Sequence, residues 1–592
     1  MKLSDSDKEI DTFSSVLSRA LKARVYLTFR DKMRKSFSII AKGWYLLRRY
    51  ILTIPRFDLF LQGALLIVVF LESYSYLLIR RNAGTGYLSS INEDWVKIGV
   101  AGAEFLLGSL VAWSGRGFRH FALSGWLGLT AVSGLIVLAF PYPDSGRQSV
   151  QLCGGGSISG YNDVEVEPID HYLQVRTGFL VLTAVLCALT KISVWAHGIT
   201  YLDDHEPESG TYFYGILISI RLSLGLSAQN WLQHVSVRDD WWEAQVSLAM
   251  LTLMFSILFT LFPHKMDGYK DFEELEYNCV LSAVGRMLRN KPLMLQVAAL
   301  SILNTAVFGY VNFDTASIQA KFFVETLRQD PRTVRTIMDI FRSLVIIFFV
   351  SIFRMRFSGR RSDGVKSTTA SRVGGAVCVL VAAFFAVLAG LHCNTGELAG
   401  FGGLTEEYEQ PSCSAECGCI SEKYGFSPVC ILNTSTTYFS PCHAGCRKYE
   451  DLGGFLLFSD CACGPGRAIR GACNLASCWL PYSLYLVFFT LMLASSAASF
   501  LMQGMAILRA VPRRDKPIAI GVAFSIVGLI AHGLGHMLYM LIGYLTCGYS
   551  DGETCLLHDF SIWSVGAVSA ALTILSGAIS ILASRSYNSN SS

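Results

Sequence analysis

Twelve stretches of the chain are apolar over about 20 residues or more, the length that an α-helix needs to cross the hydrocarbon core of a bilayer. Charged residues make up only 16% of the sequence and its mean hydropathy is +0.42, whereas roughly 25% of a typical soluble domain is charged. The sequence therefore predicts an all-α integral membrane protein with twelve transmembrane helices. The predicted spans 1 to 12 are residues 57–80, 95–114, 120–141, 172–198, 211–232, 241–263, 293–314, 333–356, 372–392, 481–508, 517–545 and 561–584.

The basic residues orient these spans, because short cytoplasmic loops are enriched in Lys and Arg. With the N-terminus in the cytoplasm, the basic loops after spans 2, 6, 8 and 10 are cytoplasmic. The acidic loop Asp203–Glu206 is an exception, and we expect it to be solvated. The even number of spans puts the C-terminus in the cytoplasm as well. Since the first apolar run starts only near Phe57, we expect it to be a permanent anchor and not a cleaved leader.

Two sets of six spans flank a polar loop, which favours two six-helix bundles around a central pathway, as in the major facilitator fold. The N-terminal segment holds 13 Lys or Arg against 5 Asp or Glu, and such a segment meets anionic lipid more often than nucleic acid. We predict these divisions: a basic cytoplasmic segment 1–56, a six-helix bundle 57–263, a cytoplasmic linker 264–292, spans 7 to 9 in 293–392, an exterior cysteine-rich loop 393–480, spans 10 to 12 in 481–584, and a cytoplasmic tail 585–592.

Cysteines are concentrated on loops predicted to be exterior, where disulfides persist. Eleven of the seventeen lie between Cys393 and Cys478, in a loop too long for a bare connector. We expect a small domain stabilised by disulfides whose pairing the sequence leaves open; a zinc site that includes His443 is the less favoured alternative. The predicted disulfide-forming residues are Cys153, Cys393, Cys413, Cys417, Cys419, Cys430, Cys442, Cys446, Cys461, Cys463, Cys473, Cys478, Cys547 and Cys555.

Two further features of the loops follow from the same placement. The sequon at Asn433 lies in the cysteine-rich loop, so its glycosylation would fit an exterior position. The other three cysteines, Cys187, Cys279 and Cys378, lie in spans or on the cytoplasmic side, where free thiols are expected.

Five segments together resemble the organic anion transporting polypeptides. Pro428–Cys430 and Tyr438–Cys446 are similar to the Kazal-type exterior domain of that family, and His392–Asn394 to its entry into the same loop. Gly198–Asp204 resembles a family motif at the inner end of span 4, and Cys555–Asp559 resembles the last exterior loop. The resemblance covers roughly residues 57–584. It implies a major-facilitator transporter of the plasma membrane with a Kazal-like domain, which moves amphipathic organic anions without sodium.

Several positions depart from the family pattern. Of the signature before span 6, only Arg238–Trp242 is recognisable. Span 11 lacks the arginine that the family carries there, and its only proline is Pro517 at the inner end. Tyr142 stands where the family often has a histidine at the outer end of span 3. Substrate range and pH dependence therefore do not transfer directly from the family.

Ionisable residues within the spans are the candidates for substrate binding, because such residues usually face the bundle interior or a water-filled cavity. An anion carrier needs positive charge near the midplane, which Arg221, Arg342 and Lys191 could supply. The alternative for each is a structural ion pair with Glu72, Glu104 or Asp339.

Two histidines of span 11 are a second kind of candidate. His532 and His536 are four residues apart on one helix face, which permits a proton-linked switch, a metal pair or a packed pair lining the pathway. No carboxylate or cysteine lies near them in sequence to complete a metal site, so we favour the packed or pathway-lining arrangement.

The sequence favours a carrier over an enzyme. It shows no P-loop, catalytic triad signature, tandem metal motif or ATP-binding domain, so we expect no cofactor. The expected partners are small organic anions, including steroid conjugates and bile-salt-like or hormone-like compounds, together with the lipid bilayer and no nucleic acid. Two alternatives stay open: a receptor or binding protein that keeps the fold without transporting, and an importer of neutral steroid hormones.

Overall fold

A computed structural model gives the structure of the chain. It describes residues 52–83, 93–115, 117–140, 151–154, 170–206, 209–226, 228, 232, 241–264, 279–323, 332–357, 365–393, 398–400, 408–421, 425–452, 455–473, 475–551 and 554–589. Most of the predicted N-terminal segment, residues 265–278 of the linker, and the departures at Tyr142 and Arg238–Asp240 lie outside these residues.

The described residues are mainly helical, with one helix or helical segment at each predicted span. In chain order the helices are α1 Ile54–Ala83, α2 Glu93–Ser114, α3 Arg119–Ile136, α4 Asp170–Ser193, α5 Thr200–His205, α6 Gly210–Leu222, α7 Trp241–Thr260, α8 Val280–Arg289, α9 Lys291–Asn312, α10 Asp314–Phe322, α11 Arg332–Phe357, α12 Ser367–Gly390, α13 Leu475–Arg509, α14 Lys516–Val527, α15 His536–Leu545 and α16 Trp563–Ser589.

The number of membrane helices agrees with the prediction. Ten helices of the described residues are long and apolar enough to cross a bilayer, and the shorter apolar helices Tyr212–Leu226 and Ile340–Ile352 lie within spans 5 and 8. The predicted linker contains α8, an addition to the prediction: Ala283 and Met287 are buried, while Leu281 is exposed. We keep the span numbers 1 to 12 for the helices at the predicted positions.

The spans form two six-helix groups, as the major facilitator fold requires. In the first half, span 4 packs against spans 1, 2 and 3, and span 6 packs against spans 1 and 3. In the second half, span 12 packs against spans 7 and 9, and span 10 packs against spans 7, 8 and 9. The halves meet where span 2 contacts span 11 and where span 5 contacts spans 8 and 10. The interface between the halves therefore runs through the centre of the molecule.

Spans 2 and 11 approach closely because glycines face the partner helix. A Cβ atom at Gly521 would overlap the side chain of Ala112, and one at Gly108 would lie 2.6 Å from Ser525 Oγ. A Cβ atom at Gly528 would lie 2.8 Å from the Cβ of Glu104. Small residues allow helix backbones to pack tightly in a membrane, so this stretch joins the two halves tightly.

Three spans depart from a continuous α-helix. Span 4 passes through a π-helical turn, Val194–Ile199, before α5, and span 11 has a longer one, Gly528–Gly535, between α14 and α15. Span 5 is interrupted by a turn at Ser223, two residues beyond Arg221, between α6 and the helical residues 224–226. Short π-helical segments are frequent at functional sites, and the one in span 11 contains His532.

The cysteine-rich domain, residues 398–473, is a small antiparallel sheet held by disulfides. Its strands are β1 Val429–Ile431, β2 Thr436–Tyr438, β3 Cys446–Leu452, β4 Phe455–Cys461 and β5 Ala468–Arg470, in the order β2-β1-β5-β4-β3. Val429 pairs with both Tyr438 and Arg470. A second, two-stranded sheet follows span 11 and consists of β6 Cys547–Asp551 and β7 Thr554–His558.

All fourteen cysteines predicted to be exterior form disulfides in the structure, which leaves none of them for the zinc alternative. Cys187, Cys279 and Cys378 are free. The seven pairs are Cys153–Cys417, Cys393–Cys478, Cys413–Cys463, Cys419–Cys442, Cys430–Cys473, Cys446–Cys461 and Cys547–Cys555.

His443 is buried inside this domain and is not exposed for metal binding. Its Nδ1 lies 2.7 Å from Ser440 Oγ, and the Phe439 ring centroid is 5.1 Å from its own. Burial lowers the pKa of His443 to about 4, because desolvation disfavours the imidazolium. The residue is therefore a neutral part of the core of the domain.

The cysteine-rich domain contacts both halves of the molecule. From the first half, Leu152 packs in the core of the domain, and Cys153 N donates to Cys446 O at 2.9 Å beside the disulfide to Cys417. From the second half, Tyr549 of β6 donates to or accepts from Ser421 Oγ at 2.9 Å. Spans 9 and 10 lead into the domain, so it lies over one end of both helical groups.

Candidate functional site

The candidate cations and histidines of the spans lie near carboxylates that are distant in sequence. Lys191 of span 4 forms an ion pair with Glu72 of span 1, with its Nζ 2.7 Å from both carboxylate oxygens. The two side chains are only 9% and 12% exposed. Burying two charges is tolerated when they pair closely. Lys191 therefore forms a structural ion pair, which is the alternative to a role in substrate binding.

Each histidine of span 11 donates to a carboxylate of span 2. His532 Nδ1 lies 2.7 Å from Glu104 Oε2, and His536 Nε2 lies 3.1 Å from Asp94 Oδ1. Both contacts cross the interface between the halves. No carboxylate lies near these histidines along the sequence, but the packing of the halves brings one to each of them. Even so, the described residues contain no group of three or more His, Cys, Asp or Glu side chains placed to hold a metal ion.

Arg221 of span 5 reaches the same region from the other side. Its guanidinium carbon is 5.2 Å from the centroid of the Phe308 ring of span 7, a cation–π distance. The Phe308 ring is also 6.4 Å from the His532 ring and 6.5 Å from Phe500. The Glu104 carboxylate is within electrostatic range of Arg221 as well as of His532 and Lys191.

These residues form what we name the central charge cluster: Glu72, Glu104, Lys191, Arg221 and His532. It lies between the halves, beside the aromatic rings of Phe308 and Phe500. Ionisable groups inside a membrane protein are costly and mark pathways for ions or substrates. The cluster is therefore the best candidate for a binding site.

Arg342 lies in a second aromatic region, within the second half. Its guanidinium carbon is 5.1 Å from the Phe489 ring centroid, and Phe489 stacks on Tyr485 with centroids 6.3 Å apart. The Tyr485 hydroxyl donates to Asp314 Oδ1 at 2.9 Å and lies 3.0 Å from the Tyr310 hydroxyl. The contact with Phe489 thus places Arg342 in this aromatic region of the second half. The side chain of Asp339, its predicted alternative partner, lies outside the described part of the chain.

Asp203 and Asp204 of the acidic loop after span 4 are not solvated, which corrects the prediction for these two residues. Asp203 is fully buried and accepts from Lys516 and from Arg509 Nη2, the latter at 3.1 Å. Asp204 pairs with Arg119 of span 3. Asp203 thus joins the first half to spans 10 and 11, on the side opposite the cysteine-rich domain. The packing of the halves brings the carboxylate and its two cations together.

Comparison with known proteins identifies the family to which the chain belongs. Residues 87–559 match the model of the organic anion transporter polypeptide family, well over half of the 592 residues. The chain belongs to this family. The resemblance inferred from the cysteine-rich loop and the inner end of span 4 is therefore confirmed.

Relatives with curated names carry the same family name. Over 525 residues the chain is 23% identical to mouse solute carrier organic anion transporter family member 4A1, covering 76% of this chain and 70% of that relative. It is 23% identical to member 74D of Drosophila melanogaster, covering 54% and 41%, and 30% identical to mouse member 2B1, covering 32% and 29%. The aligned part thus spans less than half of the length of the last two.

Solved structures with a similar arrangement are more distant. A bacterial homologue of the iron transporter ferroportin in an outward-facing state aligns with 11% identity and a TM-score of 0.48, covering 90% of this chain and 100% of that chain. The proton:xylose symporter XylE aligns with 11% identity and a TM-score of 0.45, covering 88% and 96%.

Sequence reasoning found the cations of the site but not all of their partners. Glu72 and Glu104 were named as alternatives, yet nothing in the sequence assigned Glu72 to Lys191 or Glu104 to His532. Asp94, at the start of span 2, and Phe308, one of many aromatic residues, were missed. Glu72 and Glu104, each a carboxylate within an apolar run, carried a signal that identified them as candidates.

Proposed function

We propose that this member of the organic anion transporter polypeptide family carries amphipathic organic anions across the plasma membrane by alternating access, without sodium. The observation that carries the proposal is Arg221, a cation at the interface between the halves that contacts the Phe308 ring. A steroid conjugate or a bile-salt-like compound has one anionic group on a large apolar body. A guanidinium beside aromatic rings suits both parts of such a molecule.

In the proposed binding mode, the anionic group of the substrate contacts Arg221, and the apolar body packs on the aromatic rings. Phe308 and Phe500 supply those rings, with centroids 6.5 Å apart. Lys191 is less suited to bind the anion because it is paired with Glu72. Arg342, beside Phe489, would contact a substrate that passes through the second half.

Alternating access requires the halves to separate on one side of the membrane at a time. The contacts of Asp203 with Arg509 and Lys516 would have to break before a path opened on the side opposite the cysteine-rich domain. We place that side in the cytoplasm, because the seven disulfides need an oxidising compartment. The cysteine-rich domain would then lie on the exterior side.

The test is uptake of a labelled sulfated steroid, a labelled bile salt and a neutral steroid by cells that express the chain. Arg221→Gln and Arg342→Gln remove the candidate cations, and Arg447→Gln, on the exposed strand β3, is the matched control. We expect saturable anion uptake that Arg221→Gln lowers at least tenfold and Arg447→Gln leaves unchanged. Replacing sodium by potassium should not change it.

Surface labelling shows whether each variant reaches the plasma membrane. Anion uptake by delivered Arg221→Gln at the level of the unsubstituted chain would refute the proposed site. Uptake of the neutral steroid alone would favour a neutral-steroid importer. A delivered chain that takes up none of the three compounds would favour a receptor.

A further inference from the structure

The helix α8, which precedes span 7, has an apolar side that faces away from the protein. Leu281 is 79% exposed and Leu288 is 48% exposed. Seven residues are about two helical turns, so both leucines lie on one side of the helix. Ala283 and Met287 are buried and face the protein. The helix therefore presents one apolar side to the protein and a second one to its surroundings.

The place of α8 in the fold brings its exposed leucines close to the membrane surface. α8 ends at Arg289, and the helix of span 7 begins at Lys291, after Asn290, whose Oδ1 accepts from Leu293 N at 3.3 Å. α8 also contacts spans 2 and 11. A short amphipathic helix at such a position lies along the interface, with its apolar side chains between the headgroups and the acyl chains.

The polar side of α8 and the residues next to it are basic. Residues 279–291 contain three basic residues and no acidic one. Arg289 and Lys291 are exposed. Arg286 is 44% exposed, and its Nη2 lies 3.5 Å from Oδ1 of buried Asp515, at the start of span 11. A membrane leaflet that contains anionic lipid attracts basic residues next to a transmembrane helix, and long basic side chains reach the headgroups from an interfacial helix.

We propose that α8 is a docking site for anionic phospholipid in the leaflet on the side opposite the cysteine-rich domain. Leu281 and Leu288 pack against the acyl chains below the headgroups, and Arg289 and Lys291 bind the anionic headgroups. Arg286 holds the helix to span 11. The inference concerns lipid and not the transported substrate, so its test does not depend on the proposed function.

The acidic sequence before α8 is the alternative partner for these cations. Residues 265–278 contain five acidic and two basic residues. If that sequence neutralised Arg289 and Lys291, the two cations would contribute nothing to the binding of lipid. The two partners therefore predict different effects of removing both charges.

The first experiment locates the leucines relative to the bilayer. The full chain carries Cys279→Ser, which removes the exposed free thiol, and a nitroxide on Leu281→Cys, Leu288→Cys or Ser282→Cys, one at a time. In nanodiscs with about 30% phosphatidylserine, the labels at 281 and 288 should collide mainly with oxygen. The label at exposed Ser282 should collide mainly with a water-soluble nickel complex. Equal access of the nickel complex to all three labels would overturn the inference.

The second experiment measures the affinity for lipid. Spin-labelled phosphatidylserine is titrated into the detergent-solubilised full chain, and it quenches a dye on Ser282→Cys. Each basic residue near an anionic lipid contributes about 1 kcal/mol, a factor of roughly 5. Arg289→Gln with Lys291→Gln should therefore weaken the binding of phosphatidylserine about 25-fold. Arg447→Gln with Lys448→Gln, two exposed residues of β3, is the matched control and should leave binding unchanged.

The outcomes separate lipid from the other partners. Spin-labelled phosphatidylcholine should bind at least tenfold more weakly than phosphatidylserine. Equal binding of the two lipids, or unchanged binding of phosphatidylserine after removal of both cations, would overturn the inference. Displacement of phosphatidylserine by an equal concentration of water-soluble glycerophosphoserine would indicate a site for a free phosphate ester and would overturn it as well. None of these results bears on the uptake of organic anions.

Discussion

Removing the buried carboxylate of Asp203 should weaken the contact between the halves on the side opposite the cysteine-rich domain. Asp203 is fully buried and Lys516 is 2% exposed. Asp203→Asn would therefore leave a buried ammonium without its counter-ion, which costs about 3–5 kcal/mol. Arg509 is 19% exposed, so water replaces much of the interaction that Arg509 loses with the carboxylate. A penalty of about 3 kcal/mol changes the balance between the closed and open states by a factor of roughly 100.

Two measurements test this. Thermal unfolding in detergent can be followed with a thiol-reactive dye, because Cys187 and Cys378 are free and buried; Cys279→Ser removes the exposed thiol. The midpoint should fall by roughly 2–3 °C in Asp203→Asn, because the unfolding entropy of a chain of this length is large. Opening can be followed by labelling Ser525→Cys, a position 5% exposed between spans 2 and 11, which should react faster in Asp203→Asn.

Matched variants separate the contact between the halves from general damage. Asp204→Asn removes a neighbouring carboxylate whose partner, Arg119, is in the same half, so it should lower the midpoint without faster labelling of Ser525→Cys. Adding Lys516→Met to Asp203→Asn should recover about 2 kcal/mol, since an apolar side chain needs no counter-ion. Equal labelling rates in the Asp203 and Asp204 variants, or strictly additive effects of Asp203→Asn and Lys516→Met, would refute the reasoning.

Three further predictions concern other parts of the chain. The pKa of buried His443 is about 4, against 6.5 in the unfolded chain, so the unfolded state binds the proton first as the pH falls. About 3 kcal/mol of stability is therefore lost between pH 6.5 and pH 4. The melting temperature of His443→Asn should depend less on pH in that range. Gly521→Val, which places a branched side chain against Ala112, should slow uptake at least tenfold in fully delivered protein, and Gly521→Ala should slow it less. Asn433, exposed in the turn between β1 and β2, should carry a glycan, so treatment with an amidase specific for N-glycans should lower the apparent mass of the chain but not that of Asn433→Gln.

The positions of the spans could be predicted because crossing a bilayer imposes a length and an apolar composition on each helix. The predicted span 95–114 and the helix Glu93–Ser114 differ by two residues at one end. The break in span 5 after Leu222 could not be predicted, since residues 211–232 are apolar enough to continue as a helix. The π-helical segment at Gly528–Gly535 depends on packing against span 2, which sequence periodicity does not encode.

The candidate site could be predicted only as a set of unpaired charges. The cost of placing Arg221 or Lys191 in a membrane makes each conspicuous in the sequence, but the sequence does not tell which carboxylate is adjacent in space. Lys191 and Glu72 are 119 residues apart, and His532 and Glu104 are 428 apart. Such partners are chosen by helix packing, so binding and ion pairing could not be distinguished before the helices were placed.

The disulfide between Cys153 and Cys417 limits how the halves can move on the side of the cysteine-rich domain. Residues 151–154 of the first half are built into that domain through Leu152 and Cys153, whereas spans 9 and 10 connect it to the second half. The domain is therefore a covalent link between the halves, and its movement is coupled to opening on that side.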